Sequence, residues 1–179
     1  MEGLEASPVQ NVDFKCELRD PELARLALKQ FGAVCAATVT HRDTYFRVPD
    51  GRLMRREAEG EPVEYVLYHR VDRPMPTISK FTILTEEEAR LRLGESDPPV
   101  WVEVEKRREI WLLKNARIHL DRVLGLGWFI EIDVLVTKDQ HVGRCHELIG
   151  KIREALGPCL GGLIATSYAD MVASESDAA

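Results

Sequence analysis

The chain has 179 residues, 45% of them hydrophobic and 30% charged, and carries a formal net charge of −6. That composition describes one folded domain with a real core and excludes a disordered or fibrous chain. The acidic balance argues against a general nucleic-acid binder; with no leader pattern and no run of about 18 apolar residues, neither export nor a membrane partner is expected.

Residues 1–9 and 173–179 are small and polar, which predicts a flexible N-terminus and a flexible tail around a single domain at 10–172. Residues 11–19 alternate without a break, with Val12, Phe14, Cys16 and Leu18 on one face of a strand. Asn11, Asp13, Lys15, Glu17 and Arg19 take the other face. Asp20 and Pro21 open a helix as N-cap and first residue; Leu23, Leu26 and Ala27 form its apolar stripe and Gly32 closes it.

Residues 37–41 and 45–48 read as two strands before the turn Pro49-Asp50-Gly51. Strands at 52–57 and 63–70 pair around Glu59-Gly60-Glu61-Pro62, and 77–84 forms another. Thr85 and three glutamates open a short helix. Strands at 101–113, 116–123 and 128–136 follow, the last two joined by Gly125-Leu126-Gly127, and a helix at 139–156 stops at Gly157-Pro158. About eight strands and three helices with short connections place the chain in the α+β class, with an antiparallel sheet that closes on itself.

Alternate positions on the middle strands carry charge: Arg52 and Arg56, Glu64 and Arg70, Lys106 and Arg108, Arg117 with His119 and Asp121, Glu131 and Asp133. Each strand alone reads as a solvated outer face. Together they allow a second reading, in which the charges line the interior of a closed eight-stranded barrel able to hold one small ligand. Cations packed about 4 Å apart repel by roughly 4 kcal/mol at an effective dielectric of about 20. A polyanion such as a triphosphate, or water, would offset that. Carboxylates two apart on a strand lie about 6.6 Å apart at Cα, so Glu131 and Asp133 can converge on one ion. Oxygen ligands point to Mg²⁺ or Mn²⁺.

Asn11-x-Asp13-x-Lys15 resembles the Glu-x-Glu-x-Lys signature of the CYTH superfamily, the triphosphate tunnel metalloenzymes. The likeness continues through the segments at 43–49, 52–57 and 105–108, is strongest from Arg117 to Asp133, and ends at Ser167-Tyr-Ala-Asp170. It implies a closed eight-stranded antiparallel tunnel with helices outside. Lys15, Arg56, Arg70, Lys106, Arg108 and Arg117 would grip phosphate. Asp13 and Glu131 would be the catalytic metal carriers, with Asp133, Asn11 and Asp121 completing the metal set. The activity implied is that of a class IV adenylate cyclase; a triphosphatase acting on tripolyphosphate, thiamine triphosphate or a nucleotide, or an inactive nucleotide-binding module, are the alternatives. A homodimer also fits the resemblance. Asn11 stands where the signature has its first glutamate, and Asp13 and Asp133 are one methylene shorter than glutamate, which predicts altered metal binding.

Other candidates read as structure. His141 and Cys145 sit four apart on the last helix, but Val142, Cys145, Ile149, Ile152 and Leu156 form a packing stripe there. Trp101 and Trp111 are expected in outer packing, and Tyr45 and Tyr68 as base or ribose contacts. His119 suits either a structural hydrogen bond or a proton carrier. The four cysteines, Cys16, Cys35, Cys145 and Cys159, lack the spacing of a zinc or disulfide module and predict reduced thiols in the cytoplasm.

Overall fold

Strand alternation decides the architecture, because nearly every long strand has one face that must leave water and another that carries charge. The computed structural model describes residues 9–69 and 75–178. Most of the expected loose N-terminus, and Arg70 with its expected phosphate contact, lie outside the described residues. In chain order the elements are β1 (Val9–Leu18), α1 (Pro21–Gln30), β2 (Val34–Phe46), β3 (Arg52–Ala58), β4 (Glu64–His69), β5 (Thr77–Thr85) and α2 (Glu86–Leu93). Then come β6 (Val100–Leu113), β7 (Ala116–Val123), β8 (Gly127–Leu135), α3 (Val142–Leu156), β9 (Leu160–Leu163) and α4 (Tyr168–Ala178).

The sheet runs β5-β4-β3-β2-β6-β7-β8-β1, every pairing is antiparallel, and β1 pairs β5 to close the barrel. The short β9 takes the edge of β1 beyond β5, at Cys16 and Leu18. The eight-stranded antiparallel barrel is therefore as expected, with one extra strand and four helices rather than three outside it.

The main core lies outside the barrel. Val12, Phe14, Cys16 and Leu18 of β1 join Ile118, Leu120, Ile130, Ile132 and Val134 against Ala24 and Leu28 of α1 and Cys145, Ile149, Ile152 and Leu156 of α3. Each fully buried Ile or Leu there contributes about 1.5–3 kcal/mol. The Asp20 side chain caps α1 through Leu23 N–H, and Thr85 with Glu88 forms a capping box on α2. Ala89 of α2 covers a second cluster of Phe46, Leu53, Tyr65 and Leu84.

Three expectations are corrected. The two strands expected at 37–41 and 45–48 are one continuous β2, because Arg42 and Asp43 keep the alternation with Arg42 outward and Asp43 buried. Residues 173–178, expected within the tail, continue α4 as helix. Trp111 packs in the outer core, but Trp101 sits at a register shift, where Tyr45 pairs Val102 and Phe46 pairs Val100. Unpaired there, Trp101 packs instead against the cluster of Tyr45, Met54, Val104, Val123 and Phe129.

Candidate functional site: a charged tunnel

The inner strand faces enclose a cavity of about 510 Å³. Its wall holds the cations Lys15, Arg52, Arg56, Lys106, Arg108 and Arg117, together with the carboxylates Asp13, Glu64, Glu131 and Asp133. Tyr168, at the start of α4, inserts at one mouth: its hydroxyl donates to Asp121 at 2.9 Å and its ring lies 4.2 Å from Lys15 Nζ.

Two further acids stand directly behind this wall. Asp43 is fully buried and opposite Arg56 in the β2–β3 register; it accepts from Arg56 at 2.8 and 2.9 Å and also binds Lys106. Asp121, also fully buried, accepts from Arg108 at 2.7 and 2.6 Å. The expected mutual repulsion of the cations is thus relieved by the protein itself rather than left for a ligand. Burial alone would raise the Asp43 carboxyl, but Lys106 and Arg56 outweigh it and hold it far below the usual carboxylate range. Asp121 is lowered likewise, burial being overcome by Arg108. Burial lowers the Lys106 ammonium to about 8 despite the attraction of Asp43.

A second grouping lies on β8 and its neighbours. Glu131 sits between Lys15 of β1 and His119 of β7, and Asp133 between Asp13 and Arg117. The Glu131 carboxylate contacts Lys15 Nζ at 3.2 Å and Arg108 at 2.5 Å. Burial would raise it, but Lys15 and Arg108 hold it well below the usual range. Asp133 goes the other way, pushed up to about 7 by burial and by the charges of Glu131 and Asp13. Acids crowded this closely are ready for a cation. One ligand atom each from His119, Glu131 and Asp133 lies within 4.8 Å of the others. Burial and the charge of Arg108 lower His119 to about 4, which leaves its ring neutral at neutral pH.

The profile of the family described as the CYTH domain matches residues 10–168. The chain belongs to the CYTH family. No curated protein sequence matches it. Among solved structures, the PH1012 protein from Pyrococcus horikoshii OT3 superposes with a TM-score of 0.66 at 20% identity, covering 89% of this chain and 98% of that one. A candidate adenylate cyclase from Vibrio parahaemolyticus gives 0.70 at 16% identity, covering 93% and 99%. A candidate adenylyl cyclase from Hippeastrum, described as having a dominant triphosphatase activity, gives 0.59 at 13% identity, covering 93% and 96%. At these identities the likeness speaks for the fold.

In this CYTH chain the tunnel brings together most of the residues expected from sequence. Lys15, Arg56, Lys106, Arg108 and Arg117 share the cavity with Asn11, Asp13, Glu131 and Asp133. Asp121 does not line it; both its oxygens are taken by Arg108, and Tyr168 adds a third bond. Asn11 Oδ1 accepts from Ser79 Oγ at 2.5 Å across the β1–β5 seam. Three participants carry no role in the sequence reading: Asp43, Arg52 and Tyr168. Arg52 pairs Asp170 at 3.0 Å, tying β3 to α4. Tyr45 and Tyr68 line the cavity as expected for a ligand contact.

Proposed function

We propose that this CYTH protein is a divalent-metal-dependent enzyme acting on a nucleoside triphosphate, and that its reaction is cyclisation of ATP to cyclic AMP and pyrophosphate. The observation that carries the reading is a juxtaposition inside one tunnel. Six cations stand beside a carboxylate–imidazole group, and Val66, Tyr68, Phe81 and Ile83 form a largely apolar wall of adjacent cross-strand pairs on β4 and β5. A bare tripolyphosphate has no use for an apolar wall, whereas a base and ribose do.

The charge balance supports a metal as well. Among the described residues, six lining cations face four lining carboxylates, with Asp43 and Asp121 directly behind, so that part of the wall is close to neutral. A triphosphate then needs added positive charge to be held. Glu131 and Asp133 with His119, and Asp13 across the β1–β8 pairing, are the residues that would hold the ion. A bound Mg²⁺ or Mn²⁺ would supply Lewis-acid chemistry there, lowering the pKa of the attacking hydroxyl and offsetting phosphate charge.

The protein's own groups do the rest. Lys106 and Arg108, fixed by Asp43 and Asp121, present donors that need not reorganise as charge builds on the departing pyrophosphate. Arg56 and Arg117 extend that cradle along the tunnel. Lys15 and Arg108 fix the orientation of Glu131, so its carboxylate meets the ion in one geometry. The wall of Tyr68 and Phe81 positions the base, which places the ribose toward the carboxylates.

Hydrolysis is the second reading, favoured by the openness of that wall: Ile83 is 44% exposed, so water reaches the base side of the cavity. Product analysis separates the two. ATP incubated with purified protein and Mg²⁺ or Mn²⁺ should yield cyclic AMP and pyrophosphate. Orthophosphate with ADP in their place would assign the protein to hydrolysis. No turnover of ATP, tripolyphosphate or thiamine triphosphate with either metal would leave only nucleotide binding.

A further inference from the structure

His119 Nδ1 is a buried polar atom without a hydrogen-bond partner. Its side chain is 8% exposed, on the tunnel side of β7. The atom points between two acids, 3.5 Å from an Asp133 oxygen and 3.9 Å from a Glu131 oxygen. Both separations are long for a hydrogen bond, and a buried nitrogen left without a partner is destabilising unless something occupies the gap. The spacing suits a shared cation. Adjacent ligand atoms about 2.1 Å from one octahedral ion stand roughly 3 Å apart, so a closure of under about 1 Å brings the nitrogen and both oxygens onto it. Glu131 can serve the ion while keeping Lys15 and Arg108, because a carboxylate has about four lone-pair sites.

We propose that His119 Nδ1 is a direct nitrogen ligand of the divalent cation, together with Glu131 and Asp133, and that it makes the tunnel select Mn²⁺ over Mg²⁺. The inference rests on the metal-dependent reading above and deepens it. Mg²⁺ takes oxygen and gives up its waters reluctantly, whereas imidazole is a good ligand for the later divalent ions and Mn²⁺ accepts both donor types. Asn11 strengthens the case: its amide stands where the family signature supplies an anionic oxygen, and its carbonyl is already engaged by Ser79.

Mn²⁺ itself is the probe. Continuous-wave EPR titration of the metal-free protein, without nucleotide, gives affinity, and competition with Mg²⁺ gives selectivity. Pulsed EPR of the loaded protein then reads nitrogen coordination directly. The expected result is one Mn²⁺ bound at least tenfold more tightly than Mg²⁺, with a ¹⁴N coupling that changes to a ¹⁵N pattern when histidine alone is labelled. His119→Gln should abolish the coupling and most of the selectivity. The labelled wild-type measurement decides the matter even if the variant fails to fold. A bound Mn²⁺ with oxygen ligands alone, or unchanged selectivity in a folded His119→Gln, overturns the role of His119 and leaves the metal-dependent reading standing. Failure to bind Mn²⁺ at all overturns both.

Discussion

Arg108 and Asp121 are joined by two parallel hydrogen bonds, 2.7 and 2.6 Å long, in the wall of the tunnel. They are directly opposite in the β6–β7 register, so the pairing is built by the sheet itself. The guanidinium still reaches Glu131 at 2.5 Å, which makes Asp121 the support and Arg108 the working surface.

The pair predicts what Asp121→Asn does. The substitution keeps the shape and removes the charge, leaving a buried cation without its main counter-ion. Losing one partner of a buried pair costs about 3–5 kcal/mol, and chemical denaturation should report a loss of that size. Affinity for Mn²⁺ should stay where it was, since Asp121 does not line the cavity. A collapse of metal affinity in a folded variant would instead make Asp121 a ligand.

Lys106 sets a pH dependence with two opposite signs. Its ammonium titrates near 8 in the folded protein, against an ordinary 10.5. Between those values the unfolded chain binds more protons than the native one, so stability without ligand should rise with pH across that window. Triphosphate binding needs the charged form, so affinity should fall as pH climbs past about 8. Thermal melts with and without tripolyphosphate from pH 7 to 10 would show the two trends. In Lys106→Gln both should flatten; persistence of the binding trend there would assign it to another group.

Asn11 offers the converse experiment, adding a charge. Asn11→Glu should tighten Mn²⁺ binding if the side chain turns toward Asp13 and Asp133. The same change should lower stability in the metal-free protein, because a third acid joins two that already repel. Melting in chelator and in excess Mn²⁺ should therefore diverge more than in the wild type. Equal melting shifts in both proteins would place residue 11 away from the ion.

Much of this was legible because β alternation is a local rule. The inward and outward sets of β1, β6, β7 and β8 follow from counting by twos, and most of the charged positions named that way line the cavity, Asp121 standing behind it. What stayed hidden depends on register. Asp43 looks like one acid between Arg42 and Thr44; only pairing with β3 and β6 reveals Arg56 and Lys106 as its partners. Trp101 escaped because a register shift breaks the alternation at that point. β9 is four residues with two glycines, too short and plain to stand out. α4 carried a signal that went unused: Ser167-x-x-Asp170 is a capping-box pattern, and in the structure Asp170 N–H donates to Ser167 Oγ while Ser167 N–H donates to Asp170.

Glu131 is where the carboxylate group, the phosphate cations and the orphaned imidazole meet, so its substitution tests the account most directly. The measurement is turnover of ATP in saturating Mn²⁺ beside nucleotide affinity, in wild type and in Glu131→Gln, with a melt to confirm folding. Turnover should fall by a factor on the order of 10² or more, while nucleotide affinity falls far less, because the carboxylate removed from the wall offsets part of the charge lost with the ion. Wild-type turnover in a folded Glu131→Gln would contradict the account.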